Sequence, residues 1–519
     1  MGEILPLLFA ISAIYLVSLA WKAFNWVWLK PKKLEKYLRQ QGLRGPSYKF
    51  LFGDILEMVS ATKEATSRPM EFSHQIVPRV LPFLHHSIQK YGKMSFTWTG
   101  PYPIVNIMDP DMIRDILSGK YEHCEKDGLQ PLFKPLVTGI VTYNGEKWAK
   151  HRRIINPAFH VEKLKMMLPA FQTCCCEMIE KWQKLSPEEL SELNVWDHLQ
   201  DLTADVISRT AFSSSFEEGR KIFQLQKELA KLIMQAAKFM FIPGFRFRPT
   251  KGNRRIKEIE REMRLVLRNM IHDREKAMSA GEGCSNDLLG LLMESNLKET
   301  LDAGNSKNVG ISIDEVIDEC KLFYFAGQET TGNLLVWTMI LLSIHKDWQE
   351  KAREEVLNVF GRRKPDFDGL NHLKIVSMIL NEVLRLYPPA YTIGYRVSSK
   401  EMKVGEHTLP PGTLLGIRTL LVHHDRDLWG EDADEFNPTR FSEGLTKATN
   451  NKVSFIPFGW GTRVCIGQTF ALNEAKMAIS MILQCFSFDV SPTYVHAPYT
   501  VLTLQPQHGA QLILHKLSL

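Results

Sequence analysis

Phe458-Gly459-Trp460-Gly461-Thr462-Arg463-Val464-Cys465-Ile466-Gly467 is the stretch on which the reading of this chain turns. One cysteine stands with glycines at −6, −4 and +2 and an arginine at −2. Glycines let a loop turn tightly and aim backbone N–H groups at the sulfur. Those donors, together with the nearby Arg463, favour thiolate over thiol. The next segment, Gln468–Cys485, predicts a helix whose N-terminus points at the same sulfur and adds to the effect. A thiolate held this way suits the axial position of a haem iron, where it pushes electron density onto the metal and promotes O–O cleavage. A single cysteine is ordinarily a packed core residue; its surroundings here reverse that reading.

Working outward, Ser312-Ile313-Asp314-Glu315 is a capping box and starts a helix. The helix is expected to run to about His345 and is apolar nearly all round, which predicts burial through the centre of a large protein. Gln328, Glu329, Thr330 and Thr331 interrupt it midway, a polar cost that argues against a second membrane span. Ala326 and Gly327 are small, so a ligand can approach the backbone closely. Threonine hydroxyls bond back to the helix and bend it. The expectation is a locally opened helix with a hydroxyl and a carboxylate beside a cavity, suited to holding water and passing protons. Gly327-x4-Gly332 imitates a phosphate loop, but Asn333-Leu334 occupies the place of Lys-Ser/Thr, which excludes a nucleotide site.

The 519 residues are 44% hydrophobic and 24% charged, which excludes a disordered or low-complexity chain. No linker divides them, so the expectation is one large body with a short N-terminal appendage. The balance of 64 basic and 58 acidic residues is +6. No basic run appears, so nucleic acid is not indicated; a basic surface suits an acidic protein partner or an anionic membrane face. Eight cysteines without a CxxC pair do not make a disulfide scaffold. Consecutive Cys174, Cys175 and Cys176 would fan around a helix rather than converge on a metal.

Ile4 to Trp21 carries no charge over 18 residues. At about 1.5 Å per residue it spans roughly 27 Å, close to the hydrocarbon core of a bilayer. Trp21, Trp26 and Trp28 fit an interfacial belt, and Lys30, Lys32, Lys33, Lys36 and Arg39 follow, which places the body in the cytosol. A cleaved signal peptide is the rival, with Ser18-Leu19-Ala20 as cleavage site, but the basic cluster follows the apolar run instead of preceding it. Residues 1–29 therefore read as a membrane anchor and 30–46 as a basic, Gly-Pro hinge in which Gly42–Pro46 is a stiff turn.

The body reads mainly helical with a smaller β region. Leu164–Leu185, Ile222–Met240 and Ile256–Met278 have helical periodicity. Glu282–Asn286 and Asp302–Gly310 read as loops. Segments near 94–108 and 402–420 alternate like strands, with a turn at Pro410-Pro411-Gly412. The aromatic stretch Phe239–Phe245 lies between two helices and is either a bilayer contact beside the anchor or a buried loop.

Together these motifs resemble the cytochrome P450 family. The cysteine loop matches the family's F-x-x-G-x-R-x-C-x-G pattern at every fixed position. Ala326-Gly327-Gln328-Glu329-Thr330-Thr331 is similar to its oxygen-activation helix, Glu382-Val383-Leu384-Arg385 to its E-x-x-R motif, Phe436–Phe441 to its meander, and Trp148–Arg152 to its W-x-x-x-R. The resemblance covers essentially the whole chain and implies the P450 fold over 47–519, behind one N-terminal transmembrane helix. It further implies haem b ligated by Cys465, with Trp148, Arg152, Arg396 and Arg463 on the propionates. Arginine makes bidentate bonds to carboxylates. Ala326 and Gly327 would lie against the haem, and Phe458 would pack near the thiolate and limit its solvation. Glu382 and Arg385 share a helix face, and with Arg440 would form a buried charge cluster behind the loop.

The implied reaction is monooxygenation, with Thr330 and Glu329 relaying protons. Without a G-x-G-x-x-G fingerprint, electrons must come from outside, and the family implies NADPH through a membrane-bound P450 reductase at the endoplasmic reticulum. Phe323–Thr331, Glu382–Pro389 and Ser491–Pro506 are similar to plant P450 family 72, which oxidises terpenoids, including triterpenoids and iridoid glucosides. Thr462 departs from the proline common in relatives and should loosen the loop slightly. Pro389–Tyr395 is mostly apolar with a few hydroxyls, consistent with a bulky, lightly oxygenated ligand. Two alternatives differ in kind: a P450-like isomerase or dehydratase that does not activate O2, and a non-enzymatic haem binder or sensor. The intact Glu329-Thr330 pair speaks against the first.

Overall fold

Ser312 starts the central helix by the reciprocal bonds of a capping box. Its hydroxyl accepts from the Glu315 N–H at 3.3 Å, and the Glu315 carboxylate accepts from the Ser312 N–H at 2.9 Å. In the computed structural model, which describes residues 4–121, 123–126, 132–185, 190–212, 216–280, 287–302 and 310–517, this helix runs Ile313–Ile344. Every side chain from Thr331 to Ser343 is buried. The expected opening at its centre is absent. The Thr330 hydroxyl does donate to the Ala326 carbonyl at 2.7 Å, but a carbonyl has two lone pairs and accepts it without giving up the helix.

Helices Val195–Phe212, Lys251–Ser279, Lys374–Leu386 and Gln468–Cys485 pack around it. Helical periodicity places these elements well and their ends less well. The segment expected as Ile222–Met240 is helix Phe216–Ala237, because residues 238–240 turn towards Pro243. The loop read at Glu282–Asn286, and all of Asp302–Gly310 except its two ends, lie outside the described residues.

The β region is divided. A five-stranded sheet carries Phe96–Thr99, Tyr102–Ile107, Leu414–Ile417, Tyr395–Ser398 and Cys124–Lys126 in that spatial order. Only the Tyr102–Ile107 and Leu414–Ile417 pair is parallel. Among the described residues three smaller sheets include the hairpins Met402–Val404/His407–Leu409 and Pro498–Thr500/Leu504–Pro506. The chain is thus mostly helical with small sheets, as its sequence implies.

The N-terminal segment is one continuous helical rod: Ile4–Phe24, a π-helical turn Asn25–Leu29, and Lys30–Gln40. Its apolar window has no buried residue, and Phe9 and Ile14 are each 71% exposed. The basic part is docked rather than loose. Leu34 and Leu38 bury against the five-stranded sheet, and the Tyr37 hydroxyl donates to Glu401 at 3.2 Å. Gly45 lies so close to Phe96 that a Cβ would stand 2.2 Å from its carbonyl oxygen, so the Gly-Pro segment is pinned by contact. The aromatic stretch 239–245 divides between the two readings. Phe241 is buried beside Tyr102, whereas Phe239 is partly exposed. Trp26 of the rod donates to the Tyr102 hydroxyl at 3.4 Å, so the stretch lies near the base of the rod.

Candidate active site

Residues far apart in sequence meet around one cavity of about 370 Å³. One wall is the Pro457–Gly467 loop with Cys465; Ala326, Gly327, Thr330 and Thr331 of the central helix also line it. The loop turns where its glycines allow. Gly461 has φ +72°, and a Cβ there would sit 2.3 Å from the Leu117 carbonyl oxygen. The Cys465 N–H donates to the Phe458 carbonyl at 2.8 Å, which closes the loop beneath the sulfur.

Cys465 is open to the cavity it lines, and protein surrounds it otherwise closely enough to desolvate the sulfur. Burial therefore pushes its thiol up, and two groups oppose this: the Gly467 N–H, bonded to the sulfur at the start of helix Gln468–Cys485, and the charge of Arg152. The donor and helix expected from the sequence are in place, but the arginine is a different one. Arg463 turns away to donate to the Tyr143 carbonyl at 2.8 Å and to Asn144 Oδ1 at 2.9 Å, with its guanidinium 4.5 Å from the Trp148 ring centre. Arg152 donates to the Val464 carbonyl at 3.0 Å. A carbonyl next to the cysteine thus brings the charge that sequence proximity attributed to Arg463.

At one end of the cavity cations gather, and among the described residues none of them is in an ion pair. Arg152, Arg463 and Lys126 line it, and Arg396 lies behind, paired in register with Lys126 across two strands. Burial first, then the charges of Arg396 and Arg463, lowers Lys126 to about 7. Burial and Arg396 lower Arg463 to about 10, with Glu125 offsetting in part. Cations that depress one another in this way fit a ligand carrying carboxylates. With a sulfur on one wall and small residues available for close approach, these residues fit a haem with its two propionates at that end. Lys126 has no motif around it, and only strand pairing brings it in.

Thr330 lines the cavity, but Glu329 does not. Its carboxylate accepts from the Thr503 hydroxyl at 2.5 Å and from Asn333 Nδ2 at 3.3 Å, on the side of the helix that faces the C-terminal hairpin. The expected hydroxyl and carboxylate therefore occupy adjacent faces of the helix, only one of them on the cavity.

Behind the loop, Glu382 and Arg385 are fully buried. Arg385 Nε and Nη2 donate to the two carboxylate oxygens at 2.8 and 2.7 Å. Arg440 Nε joins at 3.4 Å. Arg385 Nη1 donates to the His423 carbonyl at 2.9 Å, and His423 Nε2 accepts from the Ile456 N–H at 2.9 Å. That bond fixes His423 as the neutral tautomer with its proton on Nδ1, and burial plus the Arg385 charge hold its pKa near 3. Burial likewise holds His74 near 3 and His496 near 4. The unfolded chain binds protons at these sites below about pH 6.5 whereas the folded chain does not, so stability falls as pH drops from 6.5 towards 4. A thermal midpoint that stays level across that window would contradict this.

Among the described residues the seven cysteines are free, and no cluster of three or more His, Cys, Asp or Glu side chains could hold a metal ion; Cys284 lies outside the described residues.

The cytochrome P450 family model matches residues 79–513. The chain is 56% identical to cytochrome P450 CYP72A219 of Panax ginseng over 520 residues, covering all of both chains. It is 56% identical to cytochrome P450 72A397 of Kalopanax septemlobus, over 96% of this chain and 95% of that one. Secologanin synthase 1 of Catharanthus roseus is 52% identical, again over 96% and 95%.

Proposed function

The chain belongs to the cytochrome P450 family and is a P450 monooxygenase, and from that premise we propose that it hydroxylates a plant terpenoid, of triterpenoid or iridoid glucoside type, at the endoplasmic reticulum membrane. The observation that carries this reading is a cavity lined together by the Cys465 sulfur, the Thr330 hydroxyl and a cluster of cations that makes no ion pair among the described residues. The overall balance is O2 + 2e⁻ + 2H⁺ + R–H → R–OH + H2O. Haem, when bound, supplies the oxygen-activating and one-electron chemistry. Cys465 would hold its iron, and Arg152, Arg463, Arg396 and Trp148, with Lys126, would hold its propionates. Electrons reach the site from a redox partner, which we take to be NADPH–P450 reductase. Residues 1–29 serve as anchor, supported by the exposed apolar helix; 30–46 connect it to the catalytic domain, 47–519. Kinship with enzymes named secologanin synthase supports the terpenoid class.

The chain's own residues bind, orient and protonate. The apolar lining, with Leu322, Phe323 and Ile393, desolvates a hydrophobic substrate. Thr330, held by Ala326, keeps a hydroxyl at the cavity wall, and Glu329, one helix face away on Thr503 and Asn333, is the acid we assign to its proton relay. Thr330→Ala leaves NADPH consumption running while product per NADPH falls about tenfold or more, within what positioned proton transfer contributes. Peroxide release and product measured together check this, and an unchanged ratio places the relay elsewhere.

The substrate assignment is tested by microsomal co-expression with reductase, supplied with NADPH and a terpenoid panel and read by mass spectrometry. A product one oxygen heavier than a terpenoid, dependent on NADPH, is the expected outcome. Turnover without NADPH favours an isomerase or dehydratase, and ligand binding without any product favours a sensor.

A further inference from the structure

Glu329, Asn333 and Trp337 lie four residues apart and so form one stripe on the central helix. All three are spent on the C-terminal hairpin Pro498–Thr500/Leu504–Pro506. The Thr503 hydroxyl donates to Glu329 Oε1 at 2.5 Å, Asn333 Nδ2 donates to the Thr503 hydroxyl at 3.0 Å, and Trp337 Nε1 donates to the Leu504 carbonyl at 3.2 Å. Asn333 is fully buried, Thr503 is 5% exposed, and Asn333 Oδ1 accepts from Gln200 Nε2 at 3.3 Å. The other edge of the hairpin is fixed where the Leu504 N–H donates to the Pro389 carbonyl at 3.0 Å, close to cavity-lining Ala390 and Thr392.

We propose that Thr503 is a positioning residue: with Asn333 it holds the Glu329 carboxylate on the hairpin side of the central helix, so that the hairpin sets where the proton donor stands relative to Thr330. This rests on the reading of Glu329 as the acid of the relay. The physical reason is the choice open to a half-buried carboxylate: it stays where its donors are, and a hydrogen bond to a charged group is stronger than one between neutral groups. Glu329 finds its donors in Thr503 and Asn333, one face away from the cavity. Thr503 sits on the short connection between the two strands, so a shift of the hairpin carries the donor with it. Because the hairpin is tied to Pro389 beside the substrate-facing segment, a ligand that displaces this segment also moves the group that orients Glu329.

The test compares Thr503→Val, Thr503→Ser and Glu329→Gln in the full-length holoenzyme with reductase, at matched haem content. Thr503→Val is expected to lower product per NADPH about tenfold and to raise the solvent deuterium isotope effect on product formation. Thr503→Ser, which retains the hydroxyl, restores both to within about twofold. A purely structural role would lower the thermal midpoint without moving the isotope effect. Independently of turnover, the midpoints of Thr503→Val, Glu329→Gln and the double variant are expected to be non-additive, because the two side chains share one bond. Thr503→Ala replaces valine should that variant lose haem. If Glu329→Gln uncouples the enzyme while Thr503→Val matches wild type, the positioning role is overturned and the relay stands. If Glu329→Gln itself leaves coupling intact, the relay falls and this inference with it.

Discussion

Cys465→Ser yields a protein whose reduced carbon monoxide complex lacks the far-red Soret band of thiolate ligation, and its monooxygenase activity disappears with that band. The surroundings of the sulfur dictate this outcome. The loop closes through the Cys465 N–H to Phe458 carbonyl bond, and the Gly467 N–H points at the sulfur. The Arg152 charge is delivered next to it through the Val464 carbonyl. Against them stands burial, which on its own favours the neutral thiol. Burial and these two stabilisers thus oppose one another, and haem iron, when bound, would complete the balance, because a coordinating thiol is deprotonated outright. A serine hydroxyl is a far weaker acid in the same place and donates less electron density, so it offers neither the charge nor the push that thiolate ligation gives. The substitution removes almost no volume, so the fold should persist, and far-ultraviolet circular dichroism of the variant checks this. A variant that keeps the far-red band, or a wild-type protein with a histidine-type band, would mean that the iron is held elsewhere.

How much of this was legible beforehand depends on the range of the interaction concerned. The loop around Cys465, the capping box at Ser312 and helix Gln468–Cys485 are local: their residues dictate backbone geometry within a few positions, and the structure has them where the sequence puts them. The pairing of Glu382 with Arg385 is also local, but its burial is not; the same i, i+3 spacing on an exposed helix would give a surface pair. Motif context implied burial, and tertiary packing supplies it. What the sequence could not reveal is which side chain crosses from one element to another. Arg463 and Arg152 are both near Cys465, one in sequence and one in space, and only the fold distinguishes which charge the sulfur feels. Lys126 enters through the pairing of Cys124–Lys126 with Tyr395–Ser398, a register set by partners far away in the chain. Glu329 was expected on the cavity because it adjoins Thr330. Adjacent residues on a helix point about 100° apart, which follows from 3.6 residues per turn, so that expectation asked the helix to unwind. The structure keeps it wound and turns the carboxylate to Thr503.

Glu382→Ala is expected to cost about 3–5 kcal/mol, the range for removing one partner of a buried pair and leaving the other charge uncompensated. For a domain with marginal stability this is enough to prevent accumulation of folded protein. An exposed pair of the same spacing is worth only about 0–1 kcal/mol, so the measurement discriminates sharply between the two situations. The larger figure applies because nothing replaces the lost carboxylate. Arg385 is fully buried, and its remaining acceptors, the carbonyls of His423, Ala433 and Glu435, carry no net charge. The damage is transmitted to the catalytic loop by a short path. Arg385 holds the His423 carbonyl, the His423 ring accepts from the Ile456 N–H, and Ile456 lies two residues before Phe458, whose carbonyl closes the Cys465 turn. Glu382 also accepts from the Asn437 N–H at 2.9 Å, anchoring the segment that carries Arg440. Loss of the carboxylate therefore loosens both supports of the loop at once. The expected phenotype is low haem incorporation, with any folded fraction converting from the far-red carbon monoxide band to a shorter-wavelength form on mild warming. Glu382→Gln, which keeps shape and one acceptor but not the charge, should fall between alanine and wild type. Haem content per polypeptide and the thermal midpoint of all three proteins decide the matter. If Glu382→Ala loads haem normally and melts within a degree or two of wild type, the cluster does not support the loop, and the path through His423 is not the one that holds the sulfur in place.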